Sequence, residues 1–251
     1  MTEIIERFML RVFGFLPTVL FGDAAVFDRW LWLKRHLGRG RTLDAGCGSG
    51  AFAIYAAKRG NEAVGISFDE RNNKVASERA KLLGVQNVSF LSHDLRRLDE
   101  LAEKLGTFDQ AICFETIEHI VNDKKLLRDI RGMLNPGGEL LLTAPYTHYK
   151  RIMGNKISEV ENGDHVRWGY THEEIESLLK EAGFAVKTRD YVTGAISQWL
   201  ILLYRALSRV LPYQAAWAVV LPFRLLTVLD PVVTKLLRYP YLSIAIVAER
   251  N

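Results

Sequence analysis

Short apolar runs alternate with amphipathic stretches along most of the chain, a pattern that predicts strands alternating with helices. The runs that predict strands lie near Leu43, then at Ala63 to Ile66, Val88 to Leu91, Ala111 to Phe114, Leu140 to Thr143, Val186 to Val192 and Leu242 to Glu249. Asp69 and Thr171 stand where side chains cap helix starts, and Gly84 and Gly183 stand where helices end. The pattern predicts an α/β fold with a doubly wound, mostly parallel sheet of seven strands, which binds ligands at the carboxyl ends of its strands.

Two segments lie outside this alternation. In the N-terminal segment 1–40, apolar residues from Ile4 to Leu16 follow helical spacing opposite charged ones, which predicts an amphipathic helix. Segment 194–240 is predicted to be an apolar helical insertion before the last strand, 241–251, while 41–193 forms the core. The runs in the insertion are interrupted by charged residues and prolines, so none is expected to reach the roughly twenty residues of a membrane-spanning helix. The insertion is expected to lie on a membrane surface, to cover a substrate or to pack against a second subunit.

Composition and charge indicate the size of the domain, its cellular compartment and the kind of surface that it binds. The 251 residues are 49% hydrophobic, which suits a domain with a full core and a small appendage. Only two cysteines occur, Cys47 and Cys113, and charged residues interrupt the first apolar stretch, so we expect a reducing, cytoplasmic compartment without a signal peptide. The net charge of +4 comes with basic residues interleaved among apolar ones near both termini. This pattern favours a peripheral position on the inner face of a membrane over nucleic acid, for which a compact basic and aromatic patch is expected.

The segment Leu43-Asp44-Ala45-Gly46-Cys47-Gly48-Ser49-Gly50 joins the first strand to a helix. Glycines at such a turn let the backbone approach a ligand closely and leave the N–H groups of the helix pointing at it. The spacing G-x-G-x-G after an acid resembles motif I of the class I S-adenosylmethionine (SAM) methyltransferases, and the resemblance extends over Arg41 to Thr193 and the last strand. It implies a Rossmann-like methyltransferase fold with SAM as cofactor. The residues that it implies around the cofactor are Asp44, Gly46, Cys47, Gly48, Gly50, Ser67, Asn72, Asp94, Leu95, Phe114 and Glu115.

The second strand departs from that family pattern. The family usually has an acid there that binds both ribose hydroxyls, and the matching residue in this chain is Ser67. A serine hydroxyl can hydrogen-bond a ribose, but without the charge of a carboxylate. The stretch from Gly65 to Asn72 resembles the G-x-T-x-S-x-x-Q stretch of the cyclopropane fatty acid synthases, which makes Asn72 the candidate partner of Ser67.

Glu115-Thr116-Ile117-Glu118-His119 follows the fourth strand, and its spacing is expected to place both acids and the imidazole on one helical face or turn. The motif resembles the E-x-x-E-H of ubiquinone-pathway O-methyltransferases and small-RNA methyltransferases, which implies a divalent cation on Glu115, Glu118 and His119. It also resembles the Glu-His pair of the cyclopropane synthases, which implies a bound bicarbonate. The remaining alternative is that the pair only caps the next helix and orders the cofactor. Further along, His165 is a candidate general base or metal ligand, and Tyr170 a candidate hydroxyl donor.

The sequence therefore predicts a SAM-dependent methyltransferase that acts on a lipophilic small molecule, such as a quinone precursor, an isoprenoid, a fatty acyl chain or a lipid headgroup, with assistance from Glu118 and His119. One alternative is an RNA methyltransferase that uses the E-x-x-E-H site. Another is a non-catalytic subunit with the same fold, which the missing ribose acid at Ser67 favours. The acceptor atom and the oligomeric state stay open.

Overall fold

Within residues 3–21, 24–150 and 157–251, which the computed structural model describes, seven strands form one mixed sheet. The strands are β1 (Arg41–Ala45), β2 (Glu62–Ser67), β3 (Val88–Ser92), β4 (Phe108–Phe114), β5 (Leu134–Pro145), β6 (Phe184–Val192) and β7 (Ser243–Arg250). Their order across the sheet is β3-β2-β1-β4-β5-β7-β6, and β7 is antiparallel to both of its neighbours. The predicted mostly parallel, doubly wound sheet is confirmed.

The helices cover both faces of the sheet. They are α1 (Glu3–Phe13), α2 (Leu16–Leu20), α3 (Ala24–His36), α4 (Ala51–Lys58), α5 (Glu70–Leu82), α6 (Ala102–Leu105), α7 (Asp123–Gly132), α8 (His172–Glu181), α9 (Ala195–Leu207), α10 (Tyr213–Val220) and α11 (Asp230–Leu236). The predicted caps form as expected: the Asp69 carboxylate accepts from Arg71 N, and Thr171 and Glu174 make a reciprocal capping box.

Alternation along β5 explains why helices are needed on both faces. Leu140 and Leu142 pack into one buried cluster with Ile130 of α7, whereas Leu141 packs into the opposite cluster with Ile54 of α4. Successive side chains of a strand point to opposite faces, so a strand that is apolar at every position must be covered twice.

The sequence Asn135-Pro136-Gly137-Gly138 is typical of a turn before a strand, but it lies within β5. Phe108 of β4 pairs with Leu134, and Gln110 pairs next with Glu139, so the residues between form a bulge within the pairing rather than a turn before it. Gly137 lies in this bulge with φ 75°, a conformation that glycine adopts without strain.

The N-terminal segment contains three helices where the sequence predicted one amphipathic helix. Its residues 1, 2, 22 and 23 lie outside the described residues. Trp32 and Leu33 of α3 are fully buried against the sheet, so α3 belongs to the core, while α1 leaves large apolar side chains exposed.

The insertion is helical, as predicted, but the expected limit on its apolar length is wrong. One continuous helical run, Gln214–Leu236, has 23 residues, a mean hydropathy of 1.7 and only 28% of its most apolar window buried, and is long and apolar enough to cross a membrane by those criteria alone. A 3-10 stretch, Leu221–Leu229, links α10 to α11. Pro222 and Pro231 stand in the first turns of their helices, where a missing N–H costs little, so the helical path continues through them.

Candidate active site

The glycine loop between β1 and α4 is shaped by positive φ angles. Gly46, Gly48 and Gly50 have φ values of 94°, 49° and 80°. A Cβ on Gly46 would lie 2.2 Å from Thr116 Oγ1, and one on Gly50 would lie 2.6 Å from the Cβ of Ala76. A Cβ on Gly48 would meet no atom of the described residues within 4 Å. Two of the glycines therefore let the loop pack closely, and the third leaves open space where a ligand fits.

Asp44 orders this loop from beneath. Its side chain is 1% exposed, and Oδ2 accepts a hydrogen bond from Ala53 N in the first turn of α4 at 3.0 Å. Burial raises the pKa of Asp44 to about 7, although the hydrogen bond from Ala53 opposes the rise. Asp44 lines neither of the cavities described next. Its contribution to ligand binding is therefore to hold the glycine loop in place.

Two cavities of about 400 Å³ each meet at the glycine loop. The loop cavity lies over the ends of β2 and β3 beside residues 161–163, and the helical cavity lies under α1, α2 and α3. Gly46, Gly48 and Glu115 line both cavities. A long ligand can therefore pass from one cavity to the other over these three residues.

The loop cavity contains most of the predicted cofactor residues, including Ser67, Asn72, Asp94 and Leu95. Asn72 lines the cavity with Ser67, so the expected partnership of the two at the cofactor stays a prediction. The neighbouring Asn73 is buried and donates from Nδ2 to the Ser67 carbonyl at 3.2 Å. The Ser67 hydroxyl already accepts a bond from the Asp69 N–H at 3.3 Å, but it keeps a proton to donate.

The helical cavity contains two more predicted cofactor residues, Cys47 and Phe114, whereas Gly50, like Asp44, lines neither cavity. Burial raises the pKa of the Cys47 thiol, and the Asp44 carboxylate adds to the rise, so Cys47 is a neutral wall of the cavity and not a nucleophile. Phe114 is buried edge-on against Phe52, at a ring-centroid distance of 4.9 Å.

Two arginines in the helical cavity escaped the sequence analysis. Arg79 of α5 donates to Ser49 Oγ at 2.6 Å and to Glu6 Oε1 of α1 at 2.7 Å, so it links the N-terminal helix to the glycine loop. Arg29 of α3 lines the same cavity with Glu115, and its buried Nε has no hydrogen-bond partner in the part of the chain that the structure describes. Both lie on helices outside the glycine motif, and their positions in the sequence do not predict that they line the same cavity.

Glu118 is the centre of a compact polar group below the loop cavity. It is fully buried, and neither carboxylate oxygen has a hydrogen-bond partner among the described residues. Oε1 lies 3.8 Å from His119 Nε2 and 3.9 Å from His165 Nε2, and the two imidazole rings meet edge to face at 4.6 Å. One ligand atom from each of the three residues lies within 4.8 Å of the others. Burial and the nearby Glu115 carboxylate raise the pKa of Glu118, and burial lowers the pKa of His165.

Glu115 is not part of this group, which corrects the expected set of Glu115, Glu118 and His119. The helical turn begins only at Ile117, and Glu115 precedes it with φ 47°. The expected single helical face therefore does not form. Glu115 lines both cavities at the glycine loop, and within the described ranges its buried Oε1 has no hydrogen-bond partner. His165 completes the group in its place.

Tyr170 does not reach the site, so its expected role as a hydroxyl donor in catalysis is wrong. Its side chain is 4% exposed within the core, and its hydroxyl donates to Asp123 Oδ2 at 3.0 Å. Burial and the Asp123 charge raise its pKa. Arg167 pairs with the same carboxylate, so this cluster stabilises the loop that carries His165.

A family model described as a methyltransferase domain matches residues 24–188 of the chain. A ubiquinone biosynthesis O-methyltransferase from Ruegeria pomeroyi is 30% identical over 188 residues, which cover 71% of this chain and 74% of that protein.

Solved structures share the fold over nearly the whole chain. An S-adenosylmethionine dependent methyltransferase from Mesorhizobium loti matches with a TM-score of 0.58 and 18% identity, covering 92% of this chain and 100% of that one. Phosphoethanolamine N-methyltransferase 2 from Haemonchus contortus, solved in complex with S-adenosyl-L-methionine, matches with a TM-score of 0.60 and 19% identity, covering 98% and 60%. At these identities the likeness concerns the fold.

Proposed function

Because the chain belongs to the class I SAM-dependent methyltransferase family, we propose that it transfers the methyl group of SAM to a hydroxyl oxygen of a lipophilic small molecule. The family places it among enzymes and sets aside the alternative of a non-catalytic subunit. The observation that carries the choice of acceptor is Glu118, a fully buried carboxylate between two imidazoles and under the loop cavity, with no partner for either oxygen among the described residues.

The residues of the two cavities fit SAM. The open space at Gly48 and the N–H groups of the following helix suit a ligand that lies across the loop. In the loop cavity, the Ser67 hydroxyl and the Asp94 carboxylate offer hydrogen bonds to the sugar and the base. In the helical cavity, the buried Arg29 Nε suits the carboxylate of the methionine part. With SAM held in this way, Gly46 and Glu115, which line both cavities, would be the residues nearest the transferred methyl group.

The polar group at Glu118 fits a divalent cation. A carboxylate and two imidazole nitrogens that converge within 4.8 Å are ligands that such ions accept. A cation bound there lowers the pKa of a neighbouring hydroxyl. Glu118, His119 and His165 would hold it, and the cavity walls exclude water from the acceptor.

The transfer itself is a displacement. The acceptor oxygen forms a bond to the methyl carbon, the carbon–sulfur bond breaks, and its electron pair stays on sulfur to give the neutral thioether product. Where no cation occupies the group, the hydroxyl proton passes to an imidazole of His119 or His165, whereas with a cation bound those nitrogens would be ligands and the acidified hydroxyl would lose its proton to solvent. Positioning supplies much of the rate, and the proton acceptor contributes roughly 10²- to 10⁴-fold more.

A lipophilic hydroxyl acceptor is consistent with the name of the relative from Ruegeria pomeroyi, a ubiquinone biosynthesis O-methyltransferase. The apolar wall of the helical cavity, with Pro17, Phe21, Val26 and Phe52, supports a hydrophobic acceptor on that side. Pro17, Val26 and Phe52 come from α2, α3 and α4, so this wall is built by the domain itself and not by the insertion.

The test combines the purified protein, radiolabelled SAM and a lipid extract from cells in which the gene is deleted. Methyl transfer into a lipid-soluble, base-stable product is the expected result, and a deletion strain should accumulate the same molecule lighter by one methyl group. Glu118→Gln and His119→Ala should lower turnover by about 100-fold or more while SAM affinity stays within a few-fold. Glu62→Gln, at the far end of β2, is the matched control and should behave like the parent.

Chelator separates the two chemistries that the sequence left open. Loss of activity with chelator and its return with magnesium or zinc supports the cation. Activity that ignores chelator but requires bicarbonate means carbon alkylation instead, and full activity in both Glu118→Gln and His119→Ala overturns the proposed site.

A further inference from the structure

Large apolar side chains are exposed on two parts of the molecule. On α1, Ile4 is 81% and Phe8 61% exposed. On the insertion, the exposed fractions of Leu225, Val228 and Leu236 are 79%, 81% and 79%. Exposed apolar surface of this extent indicates an interaction site, because soluble monomeric proteins rarely expose large apolar patches.

The first of these parts lines the helical cavity, and the insertion packs behind one residue of its wall. Glu6 of α1, Thr18 of α2 and Phe21 line that cavity directly. Phe21 also packs edge-on against Trp217 of α10, at a ring-centroid distance of 6.2 Å. The cavity that adjoins the methyl-transfer position is thus lined by α1 directly, and the insertion reaches its wall through Phe21.

The exposed charge of the insertion is positive. Residues 194–240 contain five basic residues, four of them exposed and one, Arg224, buried, and one acid, Asp230. Asp230 is buried, and its oxygens accept from the N–H groups of Gly194 and Ile196 at the start of α9, at 3.1 and 2.7 Å. On α1, Arg7 and Arg11 accompany the apolar side chains. Apolar surface flanked by basic side chains complements a bilayer with anionic headgroups.

We propose that α1 and the insertion together dock on an anionic lipid bilayer, so that the acceptor enters the helical cavity from the lipid. The docking is inferred from the exposed apolar and basic residues alone. The entry route rests on the proposed function, because it requires a lipophilic acceptor.

The insertion lies on the bilayer and does not cross it. Its run Gln214–Leu236 has the length of a membrane span, but α11 is tied to the start of α9, where the insertion leaves β6, by buried hydrogen bonds. Besides the bonds to Asp230, Ala195 N donates to Thr234 Oγ1 at 2.7 Å. Moving this run alone into a bilayer would break these bonds and leave the carboxylate of Asp230 and the first N–H groups of α9 without these partners, a cost that docking on the surface avoids.

Vesicle flotation tests the docking. The parent protein should float with vesicles that contain phosphatidylglycerol, float at least about fivefold less with phosphatidylcholine alone, and lose binding as salt rises. Phe8→Ser with Val12→Ser on α1, and Val228→Ser with Val232→Ser on the insertion, should each lower the bound fraction several-fold. Val121→Ser and Val160→Ser are matched controls, because these valines are 56% and 63% exposed outside both parts and should leave binding unchanged.

All the replaced side chains are exposed, so each variant should fold. Calorimetry checks this, because a folded variant still binds SAM. Variants that float like the parent overturn the docking, as does binding that ignores both lipid charge and salt. If light scattering shows that the same variants dissociate a dimer while vesicle binding is unaffected, the surface is an interface with a second copy and the proposal is wrong.

The entry route has its own readout. Docking variants should methylate detergent-solubilised lipid extract normally but fail with the same extract in vesicles, and equal rates in both would overturn the route. If the parent methylates neither preparation, the proposed function fails, and the flotation result still decides the docking.

Discussion

Arg79 of α5 donates from Nη1 to the Ser49 hydroxyl of the glycine loop at 2.6 Å, which fixes the loop from the helical side. The same guanidinium is held by Glu6 on α1, with both side chains largely covered. Because α1 is also part of the proposed docking surface, the pair connects that surface to the loop on which SAM lies.

Glu6→Gln should therefore weaken SAM binding. Without the ion pair, α1 holds Arg79 less firmly and the loop is less ordered before the cofactor arrives. A partly buried pair of this kind is worth about 1 kcal/mol, so we expect a loss of about fivefold in affinity. Calorimetry measures it, with Arg71→Gln as the control, since Arg71 is almost fully exposed on the same helix as Arg79. Unchanged affinity in Glu6→Gln would mean that the loop is ordered without α1.

Gly46 and Gly60 form a natural matched pair, because their φ angles are 94° and 95°. An alanine at either position has similar backbone strain, but a Cβ on Gly46 would lie 2.2 Å from Thr116 Oγ1, whereas one on Gly60 would meet no described atom within 4 Å. Gly46→Ala should abolish measurable SAM binding and lower the urea midpoint further than Gly60→Ala does. If the urea midpoint falls equally in the two variants, backbone strain alone, and not the close packing of the loop, explains the need for glycine at position 46.

The sequence predicted the strands and the glycine loop well because both depend on local rules. Alternation and apolar runs report burial, and G-x-G-x-G after an acid is a short motif whose geometry is set by neighbours in the chain. The capping box at Thr171 is local in the same way and was confirmed.

The candidate residues were named from the sequence, but their arrangement in the site depends on distant segments and on backbone geometry that the sequence did not predict. His165 joins Glu118 from a remote loop, because Val166 N donates to the Glu118 carbonyl and places the loop there. Glu115 was expected on the helical face, but its positive φ turns it toward the glycine loop.

Ser67→Asp should strengthen SAM binding. Ser67 lines the loop cavity at the end of β2, where a carboxylate can accept from both ribose hydroxyls, and a charged acceptor adds about 1 kcal/mol or more over a neutral one. We expect roughly a tenfold gain in affinity by calorimetry, while Ser67→Ala should lose a few-fold. A loss with Ser67→Asp, at unchanged urea stability, would mean that the ribose lies elsewhere or that nearby Asp69 and Asp94 repel the new charge.

Asp44 should make stability fall as pH rises. Its pKa in the folded protein is about 7, above the ordinary value of 3.8, because burial disfavours the charged form. The folded state therefore holds a proton that the unfolded chain has lost, and the resulting stability is complete below about pH 3.8 and is lost as pH rises through about 7.

The substitution Asp44→Asn separates this titration from the hydrogen bond, because an asparagine amide keeps an oxygen acceptor for Ala53 N and cannot ionise. Asp44→Asn should thus match the parent's urea midpoint near pH 4 and exceed it at about pH 8. Asp99→Asn is a control of opposite sign, because Lys125 lowers the pKa of Asp99, so that variant should be the less stable one at the higher pH. An Asp44→Asn midpoint that follows the parent at both pH values would mean that Asp44 stays ionised, and that the N–H groups of α4 compensate its burial.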